Sequence, residues 1–179
     1  MKPPDFAKRV TFCNWFLQEQ ENDIYFKDKI IWTDEAKFKL DGIANRRNDV
    51  YLSQENPHLH VDKQVNAAGL NVWCGLCSRG LVGPFFVDDN INGSNYLKLL
   101  KEKIIIRINE LYEVLPSIHV LNDGDFLFQQ DGAPAHYYCE VREYLDVLLP
   151  NSWLGRVVPI EFPARSPDLT PMDFFLWDI

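Results

Sequence analysis

The stretch "FLFQQDGAPAHYY", residues Phe126–Tyr138, combines an apolar run, a carboxylate and the start of a helical pattern. Its first three residues predict a buried strand. The carboxylate, Asp131, follows two glutamines and stands where that strand ends. Functional groups gather at the carboxyl ends of strands in α/β proteins, which makes Asp131 a candidate site residue. Asp131-Gly132 is also a good turn pair, so a purely structural turn remains the alternative.

Composition indicates one folded domain. The chain has 179 residues, of which 46% are hydrophobic and 13% aromatic, enough for a single core. No apolar run approaches the ~18 residues of a membrane span, so we expect no contact with a membrane. The opening "MKPPDFAKRV" lacks the apolar segment of a signal peptide. We therefore expect a reducing, intracellular compartment.

Two of the four cysteines, Cys74 and Cys77, form a C-x-x-C pair that can indicate zinc or redox chemistry. His58 and His60 are a remote second ligand pair. However, "LNVWCGLC" has the pattern of a strand, in which positions three apart face opposite sides. Free, buried thiols are therefore the favoured interpretation.

The acidic charge limits the nucleic-acid hypotheses. With 18 basic and 26 acidic residues, the net charge is −8, which opposes tight binding to phosphates. The obstacle would ease if the acidic groups held metal ions, or if a basic DNA-binding segment lay outside this chain.

Periodicity predicts a mixed sheet with helices packed on it, an α/β fold. We expect strands over 29–40 and 126–130, a hairpin turning at Ser78-Arg79-Gly80, and a short strand over 157–160. A hairpin and loop are expected over 41–60. Four helices are predicted. One covers 10–20, and a short one begins at Pro171. The other two have apolar faces, one at Leu97, Leu100, Ile104, Ile108, Leu111 and Leu115, and one at Tyr138, Val141, Leu145 and Leu148.

Asp34 ends the apolar run "KIIWT" much as Asp131 ends its own. If the two strands are neighbours, the aspartates approach each other and repel by about 4 kcal/mol at about 4 Å. Cations or protons must relieve that repulsion, and carboxylate oxygens suit magnesium or manganese. A third carboxylate, Asp173, follows Thr170 and Pro171 in a helix-capping pattern, and it either caps that helix or faces the same point.

Three segments in order, "WTDEAKF", "QQDGAPAH" and "PARSPDLTPMDFFLW", resemble the catalytic blocks of mariner-like transposases in the Tc/mariner superfamily. "VNAAGLNVWCGL" and "RRNDVYLSQENPH" resemble the text between those blocks. The resemblance implies an RNase H-like fold in which Asp34, Asp131 and Asp173 are the catalytic residues and the ligands of two magnesium or manganese ions. The spacing between the second and third aspartates is longer than is usual in that family.

The resemblance also implies metal-dependent DNA cleavage and strand transfer, the chemistry of cut-and-paste transposition. Transposon ends and target DNA are the expected partners, a homodimer is expected in the full-length family, and the nucleus is the expected location. Residues 28–179 are interpreted as a C-terminally truncated catalytic domain and 1–27 as a lead-in segment. The resemblance implies that specificity for DNA comes from N-terminal modules, which we expect to lie outside this sequence.

Individual residues around the triad carry further expectations. Gly132, Ala133 and Ala135 are small enough to let a DNA backbone approach. His136 either contacts a phosphate or has a capping or packing role. Glu35 faces away from Asp34 if the strand persists, so no catalytic role is assigned to it. The alternative function is an inactive or host-adopted remnant that binds nucleic acid or protein; another RNase H-like nuclease fits the triad but not "SPDLTPMD".

Overall fold

A computed structural model describes residues 3–39, 69–87, 90–114 and 126–177. Five strands form one mixed sheet in the order β3-β2-β1-β4-β5. They are β1 (Ile30–Lys39), β2 (Gly69–Cys77), β3 (Gly80–Val87), β4 (Leu127–Gln129) and β5 (Trp153–Leu154). The central strand β1 pairs antiparallel with β2 and parallel with β4, while β2–β3 is antiparallel and β4–β5 parallel. The predicted mixed sheet is confirmed.

Helices flank this sheet. They are α1 (Pro3–Asn22), α2 (Gly93–Leu99), α3 (Ile105–Val114) and α4 (Cys139–Leu148), and a π-helical turn, Leu100–Ile104, joins α2 to α3. Short turns occupy Phe26–Lys29, Pro167–Leu169 and Met172–Leu176, the last of them π-helical. Among the described residues, no helix is both long and apolar enough to cross a membrane.

Alternate residues of the central strands supply two separate apolar clusters. Ile31 of β1 and Phe128 of β4 belong to a large cluster with the helices from α2 to α4. Their chain neighbours Trp32 and Leu127 pack instead against a small cluster centred on Phe12 of α1. Because successive side chains of a strand point to opposite faces, the sheet lies between α1 on one side and α2–α4 on the other.

The sequence predicted most of these elements correctly. The hairpin turns where it was expected, with Ser78 and Arg79 between β2 and β3. α1 is longer than the predicted 10–20. In the long helix, Leu100, Ile104 and Ile108 are buried as predicted, while Leu97 and Leu111 are only partly buried. The π turn inserts an extra residue, which rotates the buried face between α2 and α3.

Two expectations were wrong. The strand predicted over 157–160 occurs earlier, at Trp153–Leu154, whose side chains are buried, whereas Val157 is exposed and has a positive φ of 64°. A β-branched residue with positive φ cannot continue a strand. Leu148, expected on the buried side of α4, is also exposed. The hairpin predicted over 41–60 lies outside the described residues.

The cysteines are free, and Cys74 and Cys77 are buried in β2 as expected. Burial raises the pKa of both thiols, which keeps them protonated and poorly nucleophilic. His58 and His60 lie outside the described residues, so their pairing with these cysteines stays untested.

The contact between α1 and the sheet generates a stability prediction. Phe12 is 3% exposed and packs edge-on against Phe162, with ring centroids 5.3 Å apart. We expect Phe12→Ala to lower the free energy of unfolding by about 3–5 kcal/mol, the usual cost of removing a buried aromatic ring. Denaturant unfolding followed by circular dichroism measures it.

Phe6 on the same helix is 58% exposed and is the matched control, so Phe6→Ala should cost less than about 1 kcal/mol. Equal, small losses for the two variants would show that α1 does not contribute to the core.

Candidate active site

The parallel pairing of β1 with β4 brings Asp34 and Asp131 to the same end of the sheet. The last residues paired between these strands are Trp32 and Gln129. Asp34 follows Trp32 by two positions, and Asp131 follows Gln129 by two positions. Beyond this point β1 continues, with Asp34 paired to Cys74 of β2, while β4 ends. The gap that β4 leaves next to β1 therefore opens beside both aspartates.

Buried glutamines fix this end of the sheet. Gln129 Oε1 accepts a hydrogen bond from the Thr33 amide at 3.2 Å, and the Gln129 carbonyl accepts one from Thr33 Oγ1 at 2.7 Å. Gln130 accepts from the Tyr96 hydroxyl at 2.9 Å and donates to the His136 carbonyl at 3.1 Å. Each buried glutamine side chain thus has a protein partner, which explains two amides at the end of a buried strand.

A cavity of about 280 Å³ opens here, and all three predicted aspartates, Asp34, Asp131 and Asp173, line it. Asp173 is exposed on the short turn Met172–Leu176. Thr170 contributes to the cap of this turn, because its Oγ1 accepts from the Met172 amide at 3.3 Å. Asp173 lines the same cavity as the other two carboxylates, and its capping and metal-binding interpretations both stay predictions.

Asp34 lies in an environment that disfavours its ionised form. Burial raises the pKa of its carboxyl group, and the charges of Glu35, Asp173 and Asp131 add to this, giving a value of about 7. Trp177 donates a hydrogen bond from Nε1 to Asp34 Oδ2 at 2.9 Å. Sequence reasoning missed Trp177, although it lies four residues after Asp173, a spacing that places two helical side chains on one face.

Asp131 is held by a different set of donors. Its Oδ1 accepts from the Ala133 amide at 2.9 Å and from His136 Nδ1 at 2.6 Å. The second ring nitrogen of His136, Nε2, lies 3.0 Å from Glu35 Oε1. Burial alone would raise the pKa of Asp131, but the hydrogen bond and charge of His136 outweigh it and lower that pKa.

His136 is 2% exposed between the two carboxylates. Burial by itself would lower the pKa of the imidazole, but the charge of Glu35 and the hydrogen bonds to Asp131 and Glu35 raise it to about 10. With both nitrogens engaged, the ring has the packing role that was one of its two interpretations. The phosphate contact stays a prediction, and it would require the ring to move.

Of the three small residues expected to face DNA, Ala135 does not. It is 6% exposed and belongs to the large apolar cluster. Gly132 and Ala133 line the cavity. Glu35 is absent from the cavity lining, as the strand alternation predicted, but its contact with His136 was not anticipated.

The chemistry of the donors fits a hard divalent cation. The cavity offers three carboxylates, and their mutual repulsion is what a cation would relieve. In the part of the chain that the structure describes, no three His, Cys, Asp or Glu side chains lie close enough together to hold an ion. The donor set is suitable, therefore, but it is not gathered into a preformed cage.

The raised pKa of Asp34 predicts how stability depends on pH. Between its ordinary value near 3.8 and about 7, the folded state holds a proton that the unfolded state has lost. Stability from this group therefore falls as pH rises through that window and is constant above it. Asp34→Asn removes the effect, and its oxygen can still accept from Trp177.

We expect Asp34→Asn to raise the melting temperature at pH 8 and to leave it nearly unchanged at pH 4. The gain in stability is at most about 4 kcal/mol, the equivalent of three pKa units. Calorimetry of both proteins across this range isolates Asp34, because every other titrating group is common to the two. A gain that does not change with pH would contradict the raised pKa.

Comparison with known proteins adds independent information. No profile of a known protein family matches the chain. The Tc3 transposase of Caenorhabditis elegans is 26% identical over 179 residues, a match that covers all of this chain and 45% of that transposase. The chain thus spans about half the length of this curated relative.

Solved structures of the Mos1 transposase share the fold. The catalytic domain of the Mos1 mariner transposase matches with a TM-score of 0.65 and 18% identity, covering 98% of this chain and 69% of that domain. A Mos1 paired-end complex with the left transposon end matches with a TM-score of 0.68 and 20% identity, covering 98% of this chain and 47% of that chain. A Mos1 paired-end complex with Mn matches with a TM-score of 0.67 and 20% identity, covering 98% of this chain and 48% of that chain. The chain is thus similar in sequence to the Tc3 transposase and shares the fold of the Mos1 catalytic domain.

Proposed function

We propose that this chain cuts DNA strands and transfers them during transposition of a mobile element. The observation that carries the proposal is the convergence of Asp34, Asp131 and Asp173 on one cavity at the end of the β1–β4 pair. The relationship to the Tc3 transposase supports the reaction class, and the Mos1 complex with a transposon end supports DNA as the substrate.

The three aspartates would hold two magnesium or manganese ions, and the Mos1 complex with Mn supports that choice of metal. Two such ions, when bound, stabilise the attacking and leaving oxygens and the charge on the phosphoryl group between them. The protein's share is to present the oxygens. Trp177 occupies one oxygen of Asp34, and His136 with the Ala133 amide occupies one oxygen of Asp131.

Access to the cavity suits a phosphodiester. The side chain of Asp131 is 46% exposed, and Asp173 is exposed as well, so a backbone can reach both carboxylates. Gly132 lines the cavity beside Asp131 and has no side chain to obstruct a DNA backbone. Arg156 lies beside it, 3.5 Å from the position that a Cβ on Gly132 would take, and its guanidinium stacks on the Tyr137 ring at 4.2 Å. Arg156 is a candidate phosphate contact that the sequence did not single out.

Other expectations stay proposals. Target DNA, DNA-reading modules N-terminal to this domain, a homodimer of the full-length protein and a nuclear location all follow from the family resemblance. So does the boundary between residues 1–27 and 28–179, although α1 packs against Leu154 and Phe162 of the proposed catalytic domain.

Strand cleavage tests the triad. The chain is fused to a DNA-binding domain of known specificity and given a supercoiled plasmid with that domain's site, in manganese. We expect the wild type to nick the plasmid, and Asp34→Asn, Asp131→Asn and Asp173→Asn each to lose at least about a hundredfold in rate. Ligands of one metal site act as a unit, so the double variants should be no worse than the single ones.

Glu110→Gln is the control for the loss of an exposed carboxylate, because Glu110 pairs with Arg107 on α3 and does not line the cavity. It should nick at nearly the wild-type rate. Wild-type activity in Asp173→Asn would remove that residue from the triad. A wild type that binds the plasmid but never nicks it would favour the alternative, a non-catalytic binding module.

The net charge predicts how the unfused chain binds DNA. At −8 we expect weak binding without sequence preference, with a dissociation constant of about 10⁻⁴ M or weaker at physiological salt. Fluorescence anisotropy with two unrelated duplexes measures it. Tight, sequence-selective binding would show that this chain itself reads DNA.

A further inference from the structure

His136 connects two carboxylates, Asp131, which lines the cavity, and Glu35, which does not. Its Nδ1 lies 2.6 Å from Asp131 Oδ1 and its Nε2 lies 3.0 Å from Glu35 Oε1. An ionised carboxylate can only accept hydrogen bonds, so both ring nitrogens must donate. The imidazole therefore links Glu35 to Asp131 of the cavity. Glu35 and His136 are 101 positions apart in the sequence.

The imidazole is packed tightly in this position. The Tyr96 ring packs against it with centroids 4.4 Å apart, and the ring is 2% exposed. The main chain of His136 is held as well, because Gln130 donates to its carbonyl at 3.1 Å and Tyr96 in turn donates to Gln130. A side chain fixed on every side can orient the group that it contacts.

The orientation matters for Asp131 because of which oxygen is used. In the part of the chain that the structure describes, the hydrogen bonds to this carboxyl group, from the Ala133 amide and from His136, both end on Oδ1. The carboxylate's other oxygen is thereby directed away from the imidazole, and the Asp131 side chain is 46% exposed at the cavity.

We propose that Glu35 and His136 are positioning residues for Asp131: Glu35 fixes the imidazole, and the imidazole fixes the carboxylate with one oxygen presented to the cavity. The role of Asp131 as a metal ligand rests on the proposed function. The orientation of Asp131 by Glu35 through His136 does not depend on it. Glu35, which does not line the cavity, would therefore control the affinity of a site from outside its lining.

The first experiment measures manganese affinity of the 179-residue chain by titration calorimetry. We expect Glu35→Ala to weaken binding about 10- to 100-fold, the usual effect of losing a group that orients a metal ligand. Glu35→Gln keeps an oxygen that accepts from Nε2 and should recover most of the affinity. Glu140→Gln is the matched control: Glu140 also pairs with a ring side chain, the Tyr138 hydroxyl, but lies outside the cavity, so affinity should not change.

A double variant separates positioning from simple stabilisation. Because Glu35 acts through Asp131, Glu35→Ala should weaken binding no further in an Asp131→Asn background. A lower melting temperature with unchanged manganese affinity in Glu35→Ala would make the role structural only and overturn the proposal. Additive losses would overturn it too. His136→Asn gives the same test if Glu35→Ala does not fold.

The second experiment needs no metal. The proton between His136 Nδ1 and Asp131 should give a downfield resonance in the proton NMR spectrum, as short charged hydrogen bonds do. Glu35→Ala should shift or abolish it, and Glu140→Gln should not. An unchanged resonance would overturn the positioning role even if manganese binds. Conversely, a wild type that binds no manganese would count against the proposed function, while the resonance would still decide whether Glu35 orients Asp131.

Discussion

The parallel register of β1 against β4 is the constraint on which the site depends. With Trp32 opposite Gln129, Asp34 and Asp131 fall at the same level. A shift of one residue would turn one carboxylate to the opposite face of the sheet, because strand side chains alternate. The bonds between Thr33 and Gln129 hold the two strands at this level, and both residues are buried where water cannot compete for those bonds.

That register creates an electrostatic cost, and the surrounding side chains offset only part of it. At Asp131 a buried histidine supplies positive charge, and the pKa of the carboxyl group falls. Asp34 receives two neutral donors, the indole N–H of Trp177 and the backbone N–H of Glu35, and its pKa rises to about 7. The negative potential of the neighbouring carboxylates therefore acts most strongly on Asp34. Charge that the protein leaves unbalanced is where a divalent cation gains most.

The sequence allowed the layers to be predicted because they depend on local patterns. Alternation in β1, the turn between β2 and β3, and the apolar spacing of α2–α3 are each visible in a few neighbouring residues. The position of β5 could not be predicted in this way. Asn151 and Val157, on either side of β5, have positive φ, which hydrophobic periodicity does not reveal. Pattern alone also left Asp173 ambiguous, and its proposed place in the triad rests on the family resemblance.

The polar contacts of the site were harder to predict, since they join residues that are distant in sequence. Strand alternation correctly predicted that Glu35 faces away from the cavity. It could not predict that the turn after Asp131 places His136 in contact with Glu35. Nor could it show what supports Asp173. The segment before it is tied to α1 by Arg165, which donates to the buried Asp5, and by the pair of Arg9 with Asp168.

These ties give α1 a part in the site although it lines none of the cavity. A five-residue helical turn has too few internal hydrogen bonds to fix a carboxylate by itself. The loop that leads into Asp173 must therefore be held from outside, and α1 does this at Arg165 and Asp168 while Phe12 anchors the helix to the sheet. The first two carboxylates owe their placement to strand register. The third depends on the ties to α1 and on the bond from Trp177 to Asp34.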